Sequence, residues 1–134
     1  MNKRIYFLAI AFGILSCTPL AGAQGTGQGV EKELRPAQKL MQARAGWVKA
    51  MNSNLDAMKY EEVSKDAMAL AAQTSSVAEK QPDGLAKELT MRLSTLASAT
   101  AKAAGEKKSE AIKTKLADIQ ATCAECHAKI RDKK

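Results

Sequence analysis

Two thiols and an imidazole fall within five residues near one end of the chain, Cys123-Ala124-Glu125-Cys126-His127. On a helix, residues three and four apart share a face. Cys123, Cys126 and His127 therefore point the same way. Two thiols at this spacing can each add to one vinyl group of a haem, which leaves the adjacent imidazole under the iron. C-x-x-C-H is the attachment signature of c-type haem.

Other chemistries use the same residue types. A redox dithiol belongs to βαβ-type domains, and no segment here alternates as a strand does. A disulfide between Cys123 and Cys126 would suit an oxidising compartment, but an i, i+3 pair inside a helix is awkward for it and leaves the histidine idle. Zinc wants four ligands, and His127 is the only histidine in the chain. The expectation is one covalent haem c, with His127 as proximal iron ligand. The other ring nitrogen of His127 should donate to a carbonyl or carboxylate. Arg131 lies one turn past His127. It can lie along the proximal side of the haem and pair with a propionate, or simply be a cation favoured at a helix C-terminus.

A ligand for the opposite side of the iron must come from another element. From Val30 onward the pattern is helical. Pro36 suits a first-turn position, and Pro82-Asp83-Gly84 marks a turn. Helix A is expected over 35–53, with an apolar stripe of Leu34, Ala37, Met41, Ala45, Val48, Met51 and Leu55. Helix B is expected over 59–80, with Val63, Ala67, Leu70, Thr74 and Val77 inward. Helix C covers 83–103, with Leu85, Leu89, Leu93 and Leu96. Helix D covers 106–132, with Ile112, Leu116, Ile119, Cys123, Cys126, His127 and Ile130 on one side. Asn52-Ser53-Asn54, Gln81–Gly84 and Gly105 are the expected joins. Four amphipathic helices with short joins predict an all-α, antiparallel four-helix bundle, a fold that places cofactors between facing helices.

In such a bundle the start of helix A lies beside the end of helix D. Met41 is on the stripe of helix A about one and a half turns after Pro36. Met51 is ten residues further on, about 15 Å along the axis, and should miss the iron. The Met41 thioether can bind the iron, giving a low-spin centre with the raised potential of Met/His ligation. Alternatively it packs over an iron left five-coordinate, as methionine fills core gaps elsewhere.

The 134 residues make one domain's worth of chain, with a formal charge of +7. The start reads as a secretory signal peptide over 1–23. Met-Asn-Lys-Arg is a basic head, Ile5–Ser16 a short apolar run, and Ala21-Gly22-Ala23 a small-residue cleavage site. The run is short for a membrane span. Lipidation at Cys17 is the alternative. A flexible lead-in over 24–30 precedes the domain at 31–134. Cleavage after Ala23 leaves 111 residues with 19 basic and 14 acidic side chains, a balance of +5. It also leaves Trp47 and Tyr60 as the only aromatics. A domain of this size buries about two-thirds of its unfolded surface, and this one lacks large core side chains. A haem would fill the gap. At about 25 cal/mol per Å2, an apolar disc of a few hundred Å2 contributes on the order of 10 kcal/mol.

With these residues the chain resembles the cytochrome c-prime family and its low-spin, Met-ligated relatives. That family is a four-helix bundle with C-x-x-C-H near the C-terminus, matched by Cys123-Ala124-Glu125-Cys126-His127. An arginine follows four residues after the histidine, matched by Arg131. A leucine or methionine on the first helix faces the distal haem side, matched by Met41. The likeness covers roughly residues 31–134. Two departures stand out: Ala37 occupies the place of a frequent arginine, and the B–C connection is short. The short connections also resemble the soluble four-helix b-type cytochrome, which uses Met and His ligands.

The expected function is periplasmic electron transfer through a His-ligated, Met/His haem iron. Redox partner proteins with acidic docking surfaces would meet the basic chain, with Lys129, Arg131, Lys133 and Lys134 around the haem edge. The alternative is a five-coordinate haem protein that binds NO or CO as a sensor or scavenger. A homodimer is compatible with either reading. A turnover enzyme such as a peroxidase needs distal acid–base groups. The stripe of helix A offers none; Arg44 is the nearest polar residue, and its facing is ambiguous from the pattern. Nucleic-acid binding is disfavoured, because the basic residues are interspersed with acids and stacking aromatics are absent.

Overall fold

The computed structural model describes residues 34–131. The expected signal peptide with Cys17, the lead-in, and Lys133 and Lys134 lie outside the described residues. Within 34–131 the chain is all-helical, with no strand. Its elements are α1 (Pro36–Asp56), α2 (Tyr60–Glu79), α3 (Leu85–Gly105) and α4 (Ser109–Cys126), and α4 continues into one π-helical turn, His127–Arg131. Among the described residues no helix is long and apolar enough to cross a membrane.

Pro36 opens α1, where its missing N–H costs nothing. The Arg35 backbone N–H donates to Gln38 Oε1 at 2.9 Å and ties the entry. Acidic residues sit in the first turns of the other three helices, Glu61 and Glu62, Glu88, and Glu110. There they favour the positive end of the helix dipole.

Helix α1 runs through the expected join at Asn52-Ser53-Asn54 and ends at Asp56. Met51 and Leu55 are buried, and their burial carries the helix on. The polar side chains find other uses: Asn52 Nδ2 donates to the Val48 carbonyl at 2.7 Å, and Asn54 Nδ2 to Asp66 Oδ2 on α2 at 3.2 Å. The chain then turns through Ala57-Met58-Lys59, with Met58 left-handed at φ 55°. The α3–α4 join repeats this device in Glu106-Lys107-Lys108, with Lys107 also at φ 55°. In each, the amide after the left-handed residue bonds five residues back, Lys59 to Asn54 at 2.8 Å and Lys108 to Ala103 at 3.0 Å. These are Schellman stops. Gly105 was the expected join, yet it stays helical and the turn falls on Lys107. At the α2–α3 join Gly84 takes φ 141°, a conformation open in practice only to glycine.

Side-chain bonds fix the directions. Ser64 on α2 reaches the Ala101 carbonyl on α3, while Ser94 on α3 reaches the Ala71 carbonyl on α2. Later residues of one helix meet earlier residues of the next, so α2 and α3 run antiparallel. Asn54–Asp66 and Arg44–Gln73 set the same sense for α1 and α2, and Arg92–Glu125 for α3 and α4. Helix α1 also touches α4, though sparingly.

The core gathers Met51 and Leu55 of α1, Val63, Ala67 and Leu70 of α2, Leu93 and Ala97 of α3, and Ile112, Leu116 and Ile119 of α4. Trp47 and Tyr60 pack against it part-buried, and Tyr60 Oη shares a hydrogen bond with Ser109 Oγ at 2.7 Å. Most of this core lies toward one end, between the second half of α1 and the first half of α4. At the other end the expected stripe of α1 is not packed away. Ala37, Met41 and Ala45 are exposed, Leu85 of α3 is exposed as well, and the buried side chain among them on α1 is Arg44.

Candidate functional site

That under-filled end holds a cavity of about 240 Å3, partly open to solvent. Helix α4 and the π turn that continues it line one side with Cys123, Cys126 and His127. Helix α1 lines the other with Met41, Arg44, Ala45 and Val48, and Leu89 and Leu93 of α3 complete an apolar wall. The i, i+3, i+4 spacing of the motif does what it must: all three of its side chains reach one cavity. Both cysteines are free thiols, half-buried. Burial raises the Cys123 thiol above its ordinary pKa, the nearby Arg44 guanidinium pulls the other way, and Cys126 adds to the rise. Among the described residues no three His, Cys, Asp or Glu side chains form a group that could hold a metal ion on their own.

Met41 is 42% exposed and turned to this cavity, while Met51 is fully buried in the core. Met58, Met68 and Met91 are exposed and outside the lining. Arg131 is exposed in the π turn and also outside the lining. A π turn takes more residues per revolution than an α turn, so the position four after His127 no longer stacks on His127 as an α-helix would place it. Lys129 is ion-paired to Glu125, which also meets Arg92 of α3 at 3.3 Å. Lys129 and then Arg92 hold the Glu125 carboxyl below the usual carboxylate range. Part of the positive charge around the motif is thus already neutralised.

Arg44 is the residue that sequence reasoning left open. It is 9% exposed, and its Nε donates to Gln73 Oε1 on α2 at 2.9 Å. Arginine has only donors, so Gln73 must present its oxygen and turn its NH2 away. Arg44 Nη2 and Gln73 Nε2 are both buried without a hydrogen-bond partner among the described residues. Each such group costs about 1–3 kcal/mol. Burial lowers the Arg44 pKa, opposed by the Cys123 and Cys126 sulfurs. The other buried polar residues in the lining are satisfied: Thr90 bonds the Ala86 carbonyl and Thr122 the Asp118 carbonyl. The available signal for Arg44 was its place three residues after Met41, one turn along the same helix.

The residue types would suit an apolar group that attaches at the two thiols. Two thiols and an imidazole stand on one wall, a thioether on the facing helix, and an under-packed apolar space lies between. Compared with models of protein families, with curated proteins and with solved structures, the chain gives no match.

Proposed function

We propose that this protein is a c-type cytochrome that carries electrons, with one haem held by thioethers to Cys123 and Cys126 inside a four-helix bundle. The observation that supports this reading is a single one. Cys123 and Cys126 of α4 and His127 of the π turn share one apolar cavity with Met41 of α1.

In this reading Cys123 and Cys126 would anchor the group through thioethers, and His127 and Met41 would be its iron ligands. Val48, Leu89 and Leu93 would keep water from it. When bound, the haem supplies one-electron exchange between ferric and ferrous iron, and Met/His ligation sets a raised potential. Export through the segment 1–23 into the periplasm, kinship with the cytochrome c-prime family, and docking to acidic redox partners belong to the same proposal.

The second reading is a five-coordinate haem that binds NO or CO. It is favoured by the exposure of Met41, whose side chain is not pinned by packing. Absorption spectra of ferric and ferrous protein, beside Met41→Ala, separate the two. A low-spin spectrum that turns high-spin in the variant is the expected result. High-spin spectra in both would transfer the proposal to gas binding. Protein that retains no haem after denaturation would remove both.

A further inference from the structure

We propose that the outward face of α1, which carries Arg35, Lys39 and Lys49, is the surface on which an acidic redox protein docks. The proposal rests on the electron-transfer reading above and deepens it by naming the face.

Arg35, Lys39, Gln42, Gly46, Lys49 and Ser53 follow one another at steps of three or four residues, so they form one stripe along the helix. All six are exposed. No carboxylate occurs on α1 before its last residue, Asp56. The other three helices mix the two signs. Lys65 pairs with Glu62 on α2, Arg92 of α3 with Glu125, and Lys113 and Lys115 with Glu110 and Asp118 on α4. Lys129, beside the motif, is likewise engaged by Glu125. Helix α1 also lacks an acid in its first turn, so the positive end of its dipole adds to the field of Arg35 and Lys39. Helix α1 therefore presents basic charge that no carboxylate of its own stripe offsets.

Charge decides what covers this face. A two-fold copy would set one basic stripe against another, and the chain as a whole carries +7. An anionic lipid surface would gain about 1 kcal/mol for each of the three cations. That total, about 3 kcal/mol, falls short of even millimolar binding. Helices that hold to lipid add several apolar anchors, whereas Met41 is the one exposed large apolar side chain on α1. An acidic protein needs only a brief encounter, and opposite charge raises its on-rate. The middle of the stripe lets it come close: at Gly46 even a Cβ would meet nothing within 4 Å. A partner seated there is one helix thickness, about 10 Å, from the cavity that α1 walls.

The test reads the haem-loaded protein in two ways. In the first, reduction by an acidic flavodoxin is followed by stopped flow. Lys39→Glu combined with Lys49→Glu should slow the second-order rate about tenfold at low salt, and the loss should shrink at about 0.5 M salt. Lys102→Glu combined with Lys113→Glu makes the same change in net charge on α3 and α4, and it should slow the rate less than about threefold. Lys39→Glu places an acid near the start of α1, where the dipole favours it, so loss of fold does not explain the slowing. In the second, carbodiimide coupling of the same two proteins, mapped by mass spectrometry, should join flavodoxin carboxylates to Lys39 or Lys49. No slowing by the α1 variant, equal slowing by both variants, or coupling confined to lysines off α1 overturns the proposal. Cosedimentation with phosphatidylserine vesicles, or self-association, that the α1 variant abolishes would give the face to lipid or to a second copy and overturns it as well. Protein without covalent haem shows at the outset that the underlying reading has failed, while the coupling map still reports on the face.

Discussion

Met41 and Arg44 lie one turn apart on α1, and both reach the cavity that the cysteines and His127 line. If the proposed haem occupies that cavity, a buried cation there would favour the ferrous state, which carries one positive charge fewer. At an effective dielectric of about 20, unit charges about 8–12 Å apart interact by about 1.4–2 kcal/mol. For one electron that is about 60–90 mV. Arg44→Leu should therefore lower the midpoint potential by several tens of millivolts, measured by spectroelectrochemistry. An unchanged or higher potential would mean that the guanidinium is screened or lies too far from the iron. The motif itself was legible because its three donors are contiguous and any helix brings them to one face. Arg44 was not. Its direction is set by a hydrogen bond to Gln73, 29 residues away on another helix, and no local periodicity carries that information.

The helices were readable from their apolar spacing, and their ends were not. Asn52-Ser53-Asn54 and Gly105 have the composition of joins. Burial of Leu55 and the bonds of Asn52 and Asn54 kept the first stretch helical. The stops fell instead on Met58 and Lys107, residues with no turn preference, each held left-handed by a Schellman bond pair. A non-glycine residue in that conformation costs about 1–2 kcal/mol. Met58→Gly and Lys107→Gly should each stabilise the fold by about 1 kcal/mol in urea unfolding, less the entropy that glycine returns to the unfolded chain. Since Met58 is exposed, little packing is lost there. A drop in stability in both variants would mean that their side chains matter to the stops.

On the scale of the whole molecule, large side chains are spent at one end and withheld at the other. The composition announced the shortage but not its place. Protein that has not received haem should keep its helices yet unfold more easily than the loaded form. The gap should be roughly 5–10 kcal/mol, since area-based burial is an upper bound. Urea midpoints of the two forms check this, and equal midpoints would mean that the cavity end is already self-sufficient.

The sparing contact between α1 and α4 has a consequence for order in time. Core and cavity occupy opposite ends of the same helices, so the two ends need not become rigid together. Amide exchange on the unloaded chain should be slow around Ile112 and Leu70 and fast around Met41. The free thiols of Cys123 and Cys126 would then be offered at a loose end of an otherwise assembled chain. In the proposed haem reading, covalent capture of the cofactor would then be the last act of folding, and it would firm up the end that the core leaves loose.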